Sequence, residues 1–254
     1  MILGKKVGQG DFAGVIPEAP AVWGYLTHKA DGGTWDWTWT APESGWYSFH
    51  LIGDGGSGGK GGEAWVHSQY SAGTGGCGGG GGGHGGYAIH QVYVKKGSGI
   101  TFVRGSTGIS AVIEEQTIAA NHGKNGGSAD AHKTAGSGGA GGTASGANTL
   151  NLTGGAGSAG SAGERSSGDA QSDGGDSVVG GGGGNGGSVP SAQKYSSGRN
   201  TGNYNPPNLN LGNGGRGGNG GGASFKYWDF CRKTNPSNGS SGYLGGVVIE
   251  AAAT

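Results

Sequence analysis

The chain has 254 residues, of which 68 are glycine, and its 16 basic and 16 acidic residues give a formal net charge of zero. Balanced charge excludes the basic surface typical of nucleic-acid-binding proteins, so we expect no nucleic-acid partner. Two cysteines are too few for a small secreted disulfide scaffold, and we expect neither a signal peptide nor a membrane span because no apolar stretch is long enough.

The first predicted element is residues 1–30, a docking arm or loosely ordered leader whose prolines and glycines disfavour a helix. Residues 31–254 are predicted to form one glycine-rich domain. In residues 34–40 the alternation of side chains places Trp35, Trp37 and Trp39 on one face of a β-strand. Residues 42–45 predict a turn into a second strand at 46–52, giving a hairpin with an aromatic face.

Further β-strands are predicted downstream. Residues 88–94 and 100–104 alternate in the same way and predict a second hairpin, and residues 111–118 predict a weaker single strand. Residues 243–251 are apolar enough to form a buried final strand that pairs with the amino-terminal hairpins. No segment has the pattern of a long helix.

Glycine occurs largely in Gly-Gly-X triplets rather than at random. The clearest runs are residues 55–63, 75–87, 138–143, 180–188 and 214–222, and residues 154–164 keep glycine at every third position. A period of three is that of the polyproline II helix, so each run predicts a rod with bare glycine faces that can pack against other rods while X faces solvent. Replacing Gly181 by valine is therefore predicted to prevent folding.

The predicted fold class is all-β or irregular, with small antiparallel hairpins capping a bundle of polyglycine II rods and no substantial helix. Disorder is the alternative, because ordering so many glycines costs on the order of 100 kcal/mol of backbone entropy. The aromatic strands at both ends can nucleate the rods, and this favours order.

The segments between the rods are polar and carry aromatic side chains, which is typical of recognition loops on a rigid scaffold. They are residues 65–70, 121–133 and 189–211. The candidate binding residues in these segments are Trp65, Tyr70, Tyr195, Arg199 and Tyr204. Packing of the tyrosines over rod ends is the structural alternative for each single residue.

No catalytic group, metal site or cofactor site is predicted. Chance G-x-G-x-x-G matches are frequent in such a sequence, and Lys60 and Lys124 are not followed by the serine or threonine of a phosphate-binding loop. His84 and His90 lack further ligands at metal-binding spacing, and we interpret them as a rod residue and a strand residue. Cys77 and Cys231 are expected to be two free thiols, although one disulfide remains open.

Three segments carry a resemblance to a known family: TWTAPESGWYSFHLIGDGGSGGKGG, GGGGGGHGGYAIHQVYVKKGSGITFVRG and GYLGGVVIEA. Together they resemble the glycine-rich domain at the ends of bacteriophage tail fibres. The rods are also similar to the polyglycine sandwich of adhesins on long tail fibres, although the helical attachment module of those proteins is not visible. The resemblance spans roughly residues 34–251.

The resemblance implies a non-enzymatic virion protein at the distal tail, assembled in the host cytoplasm, that binds a bacterial surface protein or glycan through rod-end loops. The rest of the tail fibre or baseplate would be its other partner, and one chain, two chains or a homotrimer could form the tip. One alternative is a structural cap or virion decoration protein. Another is an antifreeze-type glycine sandwich, but the mixed charges of the X residues argue against it. A receptor-kinase ectodomain would need a signal peptide and more cysteines.

Overall fold

A computed structural model describes residues 23–29, 31–65, 74–166, 177–179, 182–186, 214–220, 223–226 and 229–252. Within these ranges there is no helix, and all strand pairing is antiparallel, which confirms the all-β prediction. The strands form three sheets, two of which face each other. Part of the predicted arm, Trp23–Lys29, is the first strand and pairs with the last one.

The first sheet has the order β1-β14-β3-β4-β9, with the bounds Trp23–Lys29, Gly246–Ala252, Gly45–Ile52, Tyr87–Val94 and Leu150–Leu152. The second sheet has the order β2-β5-β6-β7-β8, with the bounds Trp35–Thr40, Gly99–Arg104, Gly108–Ile113, Gln116–Asn121 and Ala144–Ser145. The third sheet has the order β10-β11-β12-β13, with the bounds Glu164–Ser166, Ser177–Val179, Ala223–Lys226 and Asp229–Lys233.

The first two sheets form a sandwich with an aromatic core. Phe49 of the first sheet lies 5.9 Å from Phe102 of the second, and Trp39 meets Tyr47 edge-on at 4.8 Å between ring centroids. Trp35 and Trp37 share the face of Trp39 and are half-buried against the same core. The predicted aromatic face of this strand is confirmed.

Both predicted hairpins are wrong. β2 pairs with β5 in the second sheet, whereas β3 pairs with β14 and β4 in the first. Each connection carries the chain across the sandwich, since an aromatic face is buried only when a second sheet covers it. The two connections hold each other: the N–H of Ala41 donates to the carbonyl of Ser98, and the N–H of Lys96 donates to Oγ of Ser44.

The predicted single strand at 111–118 is also wrong, because a tight turn interrupts it. Glu114 and Glu115 both have positive φ, 48° and 64°, and join β6 to β7 as a two-residue hairpin. Two consecutive positive φ values match the twist of such a hairpin, but glycine or asparagine normally supplies them. The sequence therefore carries no recognisable turn signal here.

The glycine runs continue the strands as extended rods. In the described part of the chain there are eight, numbered rod 1 to rod 8: residues 53–64, 75–86, 122–130, 135–143, 153–163, 182–186, 214–220 and 234–245. Rods 3 and 8 were not predicted from the Gly-Gly-X pattern. Rods 1 to 5 and rod 8 each join a sandwich strand directly.

Rod 2 is the centre of the bundle. The N–H groups of Gly80, Gly81 and Gly82 donate in turn to carbonyls of rods 3, 5 and 7, at 2.8–2.9 Å. The N–H of Gly83 donates to rod 3 again, so the sequence of partners repeats every three residues. The carbonyls of rod 2 accept from rods 1, 4 and 6. Each of the six surrounding rods also bonds its two neighbours in the ring, so the bundle has hexagonal order with the three-residue period of polyproline II.

Glycine in these rods is required for space rather than for backbone conformation. A Cβ built on Gly56, Gly80 or Gly217 would lie well inside van der Waals contact with a carbonyl oxygen of the adjacent rod. The rod glycines do not have positive φ, since Gly33, Gly97 and Gly146 alone do among the described glycines. A side chain is excluded wherever a neighbouring rod lies against that face.

The number of glycines per triplet follows the number of covered faces. Rod 2 is covered on every side and contains ten glycines in twelve residues, whereas rod 5 lies at the edge and has glycine at every third position, toward rod 2, with Gly155 as one additional glycine. Rod 8 packs outside rods 1 and 7 and follows the same rule. The prediction that X faces solvent is wrong for rod 2, where Cys77 and His84 are buried. Cys77 is a free thiol.

Serine and asparagine at X positions complete the hydrogen bonding at the rim. The N–H of Ser57 donates to Oδ1 of Asn125 at 2.8 Å, and the N–H of Arg216 donates to Oγ of Ser240 at 2.7 Å. In both cases a side-chain oxygen, rather than a rod carbonyl, accepts the hydrogen bond. These side chains therefore satisfy backbone donors and are part of the scaffold.

Candidate binding surface at the distal end of the bundle

At the end of the bundle away from the sandwich, the described residues include the two borders of one connection and the whole of another. Rods 1 and 2 meet where Trp65 and Thr74 exchange both backbone hydrogen bonds, at 2.9 and 3.0 Å. Rods 3 and 4 are joined by a turn in which the N–H of Asp130 donates to the carbonyl of Thr134 at 2.9 Å. Ala131 in this turn has a φ of 47°. The third sheet begins at the same end, after rods 5 and 7.

The two connections meet through a pair of aromatic rings. The indole of Trp65 stacks on the imidazole of His132, with 5.5 Å between ring centroids and 27° between the planes. Trp65 nevertheless remains 44% exposed. We call Trp65 and His132 the distal aromatic pair.

Charged side chains of both signs are exposed beside the pair along the chain. Glu63 lies near the end of rod 1, two residues before Trp65, and Asp130 and Lys133 belong to the turn that carries His132. The residues that neighbour the pair in sequence therefore include hydrogen-bond acceptors and a donor. This composition suits binding of a ligand by stacking and hydrogen bonding.

The structure describes one of the five predicted site residues. Trp65 lies at the end of rod 1 and is exposed, whereas Tyr70, Tyr195, Arg199 and Tyr204 lie outside the described residues. Residues 121–133, predicted as a recognition loop, are mostly rod 3, because Gly123 and Gly126 supply its bare face toward rod 2.

The borders of the two remaining predicted loops lie at different levels of the bundle. Trp65 and Thr74, beside residues 66–73, lie at the height of Gly75, the first glycine of rod 2. Asn185 and Gly215, near the ends of residues 187–213, lie at the height of Gly81 and Gly82 of rod 2. A separation of six residues corresponds to roughly 19 Å at the rise of this helix. The described borders of residues 66–73 and of residues 187–213 are therefore not brought together.

His132 is the residue of the distal aromatic pair that the sequence alone did not single out. It lies in an Ala-His-Lys-Thr segment where the glycine period of rod 3 ends, and this loss of period marks the end of the rod. Its contact with Trp65 joins residues far apart in sequence, which a single sequence does not reveal.

A second polar cluster lies in the sandwich, away from the aromatic core. Nδ1 of His50 is 2.6 Å from the hydroxyl of Tyr87, while Nε2 is 3.2 Å from Oγ of Ser48 and 3.3 Å from Oε2 of Glu250. In a hydrolytic triad the acid and the nucleophile bind opposite ring nitrogens. Here both approach Nε2, and Ser48, His50 and Glu250 are all buried, so the cluster does not have that geometry.

A third cluster joins the sandwich to the bundle. The carboxylate of Asp54 in rod 1 accepts from the buried guanidinium of Arg104 and, at 2.6 Å, from the N–H of Gly245. The N–H of Asp54 donates to Nδ1 of His122 at 2.8 Å, and Nε2 of His122 is 3.0 Å from the carbonyl of Gly105. Asp54 thereby links rods 1, 3 and 8 to the end of β5.

A buried histidine makes the sandwich sensitive to acid. His90 lies opposite Phe49 on the core face of β4, its Nδ1 accepts from the N–H of Asn148 at 3.3 Å, and burial lowers its pKa below the ordinary value. The unfolded histidine binds a proton near a pH of about 6.5 and the folded one only at lower pH, so acidification below that value favours unfolding.

We therefore expect the free energy of unfolding to fall between about pH 7.5 and about pH 5, and to fall less in His90→Leu. Urea denaturation of both proteins at the two pH values measures the difference. An equal loss of stability in the variant would show that His90 is not the group responsible.

Comparison with protein-family models and with curated protein sequences gave no match for this chain. Within the described residues, no three His, Cys, Asp or Glu side chains are grouped as metal ligands would be. The same part of the chain has no helix that is long and apolar enough to cross a membrane.

Proposed function

We propose that this chain is a receptor-binding tip protein of a bacteriophage tail fibre, that is, an adhesin that attaches to the bacterial surface and catalyses no reaction. The observation that supports this proposal is the distal aromatic pair, an exposed tryptophan held at the end of a hexagonal glycine bundle. The resemblance to tail-fibre glycine-rich domains points to the same function. The virion at the distal tail is accordingly the proposed location.

The bundle supplies what a recognition surface needs from its scaffold. Rod 2 is bonded on six sides, and the two connections that carry Trp65 and His132 are closed by backbone hydrogen bonds within the described residues. Such a surface is ordered before it binds, so little conformational entropy is lost on association. Aromatic side chains contribute a large contact area at a low entropic cost.

Adsorption to bacteria tests the proposal. Fluorescently labelled chain should bind a subset of strains in a diverse panel, and Trp65→Ala should reduce binding about tenfold, as for a central interface residue. Tyr243→Ala is the matched control, since Tyr243 is an aromatic residue with 53% exposure at the sandwich end of rod 8. In virions that contain the chain, antibody labelling should mark the tail end.

Absence of binding to every strain, with labelling elsewhere on the particle, would replace this proposal by that of a structural cap or decoration protein. Equal losses in the Trp65 and Tyr243 variants would show that the distal end is not the binding surface.

One observation favours a second candidate, an antifreeze-type protein. Charged X residues are confined to other rods, and the outward side chains of rods 4 and 5 are small, uncharged and exposed: Ser137, Ala140, Thr143, Thr153, Ala156, Ala159 and Ala162. An assay of ice recrystallisation separates the candidates. If the chain inhibits recrystallisation and Ala159→Lys abolishes the effect, the second candidate replaces the first.

A further inference from the structure

We propose that the free edge of β2 pairs with β2 of a second copy of this chain, in antiparallel orientation across a two-fold axis at Thr38. The resulting dimer joins the second sheets of two copies into one sheet of ten strands. This pairing concerns the sandwich and does not depend on the function proposed for the distal end.

β2 is the one edge strand of the described sheets that lacks protection against pairing. Native sheets shield their edges with short strands, bulges or charged side chains. β8, β9 and β10 have two or three residues, β1 has a shifted register between Tyr25 and Thr27, and three of the five residues of β13 are charged. β2 has six residues with neither bulge nor proline, and its one charge is that of Asp36. A regular edge of this length is a template for another strand.

Hydrogen bonds at the end of β2 show which way its backbone groups point. Ala41 donates its N–H to the carbonyl of Ser98 at 2.9 Å and accepts from the N–H of Gly97 at 2.8 Å, so both of its groups point to the side of β5. Successive residues of an antiparallel strand direct these groups to opposite sides. The backbone groups of Trp37 and Trp39 therefore also face β5.

The groups at the free edge consequently belong to Asp36, Thr38 and Thr40, whose side chains are exposed. Oγ1 of Thr38 lies 2.8 Å from Oγ1 of Thr101 in β5, and β5 is the one described strand that pairs with β2. Three N–H groups and three carbonyls remain for a second strand.

The residues of β2 are complementary to themselves in one register. With Thr38 opposite Thr38 of the second copy, all three free residues of each strand are hydrogen-bonded, and Asp36 faces Thr40, whose hydroxyl donates to the carboxylate. Trp37 faces Trp39, and aromatic and threonine pairs stabilise neighbouring strands. Centring the axis on Asp36 opposes two carboxylates, and centring it on Trp37 or Trp39 leaves one free residue without a strand partner.

The pairing fixes the orientation of the two bundles. Trp35 lies opposite Arg104, whose guanidinium binds Asp54 of rod 1, so the bundle extends from the Trp35 end of β2. Antiparallel strands direct the two bundles away from each other. The two distal aromatic pairs therefore lie at opposite ends of the dimer.

The concentration dependence of the sedimentation coefficient measures the dimer. Two edges joined by six hydrogen bonds and a few side-chain pairs form a small interface, so the dissociation constant should be on the order of 10 µM. Thr38→Lys places two like charges opposite each other at the axis and should raise this constant about fivefold or more. Thr101→Lys is the matched control, because it removes the same Thr38–Thr101 contact and adds the same charge one strand away from the edge. It should change the constant by less than about twofold.

Disulfide trapping tests the register. Hydrogen-bonded residue pairs have Cα atoms about 5.5 Å apart, a distance that a disulfide spans. Thr38→Cys should cross-link to itself, and an equimolar mixture of Asp36→Cys and Thr40→Cys should also cross-link. Neither of the last two should cross-link alone, because identical residues are then about 14 Å apart along the strands. The wild type under the same oxidation sets the background from the native cysteines.

Hydrogen exchange separates the possible occupants of the edge. The amides of Asp36, Thr38 and Thr40 should exchange fast in dilute solution and several-fold more slowly at about 200 µM, whereas those of Trp37 and Trp39 should be slow in both. Slow exchange of all five in a monomer would assign the edge to another segment of the same chain. Fast exchange of the first three at the highest concentration, in a monomer, would leave the edge to a different protein. Either result overturns the proposal, and so does a dimer that persists unchanged in Thr38→Lys.

Discussion

Replacing Gly80 by alanine is expected to prevent the chain from folding. A methyl group at this position would be driven into the carbonyl oxygens of Ser137 and Gly136 in rod 4. Rods 2 and 4 cannot move apart, because both backbones belong to one hydrogen-bonded lattice. The free energy of unfolding should therefore fall by about 4 kcal/mol or more, which is a large part of the stability of an ordinary domain. Yield of soluble monomer and urea denaturation measure the effect.

Gly182→Ala is the matched control, and it should raise the free energy of unfolding instead of lowering it. A Cβ at Gly182 would meet only Oγ of Ser161, at an ordinary distance of 3.6 Å. Since φ there is not positive, alanine should stabilise the fold by about 0.5 kcal/mol through lower entropy of the unfolded chain. Destabilisation of similar size in both variants would mean that crowding by adjacent rods is not the reason for glycine. Gly181 lies outside the described residues and does not serve this test.

Removal of the Asp54 carboxylate should produce the second large effect. Asp54→Ala leaves the guanidinium of Arg104, which is 7% exposed, without its counter-ion and the N–H of Gly245 without its acceptor. Breaking a buried ion pair from one side costs about 3 to 5 kcal/mol because a charge stays buried and unpaired. We expect a corresponding loss in the free energy of unfolding, measured in urea.

The chain offers an exposed ion pair for comparison. Nζ of Lys96 lies 2.9 Å from Oε1 of Glu43, and both side chains are mostly exposed. Glu43→Ala should therefore change stability by no more than about 0.5 kcal/mol. If Asp54→Ala were as mild as Glu43→Ala, the cluster around Asp54 would not be what joins the sandwich to the bundle.

The rods could be predicted from the sequence because a rod needs glycine wherever another rod lies against it, and this need is visible as a repeat of glycine. A run such as residues 75–86, with glycine on every face, fits only where backbone covers every face. Rods 3 and 8 could not be predicted in this way, because a rod with fewer covered faces needs only about one glycine per triplet. In rod 8 these are Gly239, Gly242 and Gly245, which form no recognisable run in a chain of 68 glycines. The burial of His84 depends on which rod is central, and this follows only from packing.

The sandwich was predicted in part. Alternation identifies the face of Trp35, Trp37 and Trp39, but it does not tell which strand lies beside them, and pairing with β5 rather than β3 is decided by burial of that face against the other sheet. At the candidate binding surface, composition indicated Trp65. Its neighbour His132 could not be found, because contacts between separate connections depend on how the rods are arranged in the ring.

The three-residue screw of the rods restricts how the length of this protein can change in evolution. One inserted residue would turn all later residues of a rod by a third of a circle, so that in rod 5 the alanines would face rod 2 and Gly157 and Gly160 would turn away from it. Insertions and deletions are tolerated only in whole triplets, and the neighbouring rods must gain or lose the same triplet to keep their hydrogen-bond partners. The distance between the sandwich and the distal end should therefore differ among descendants of this chain in steps of about 9 Å.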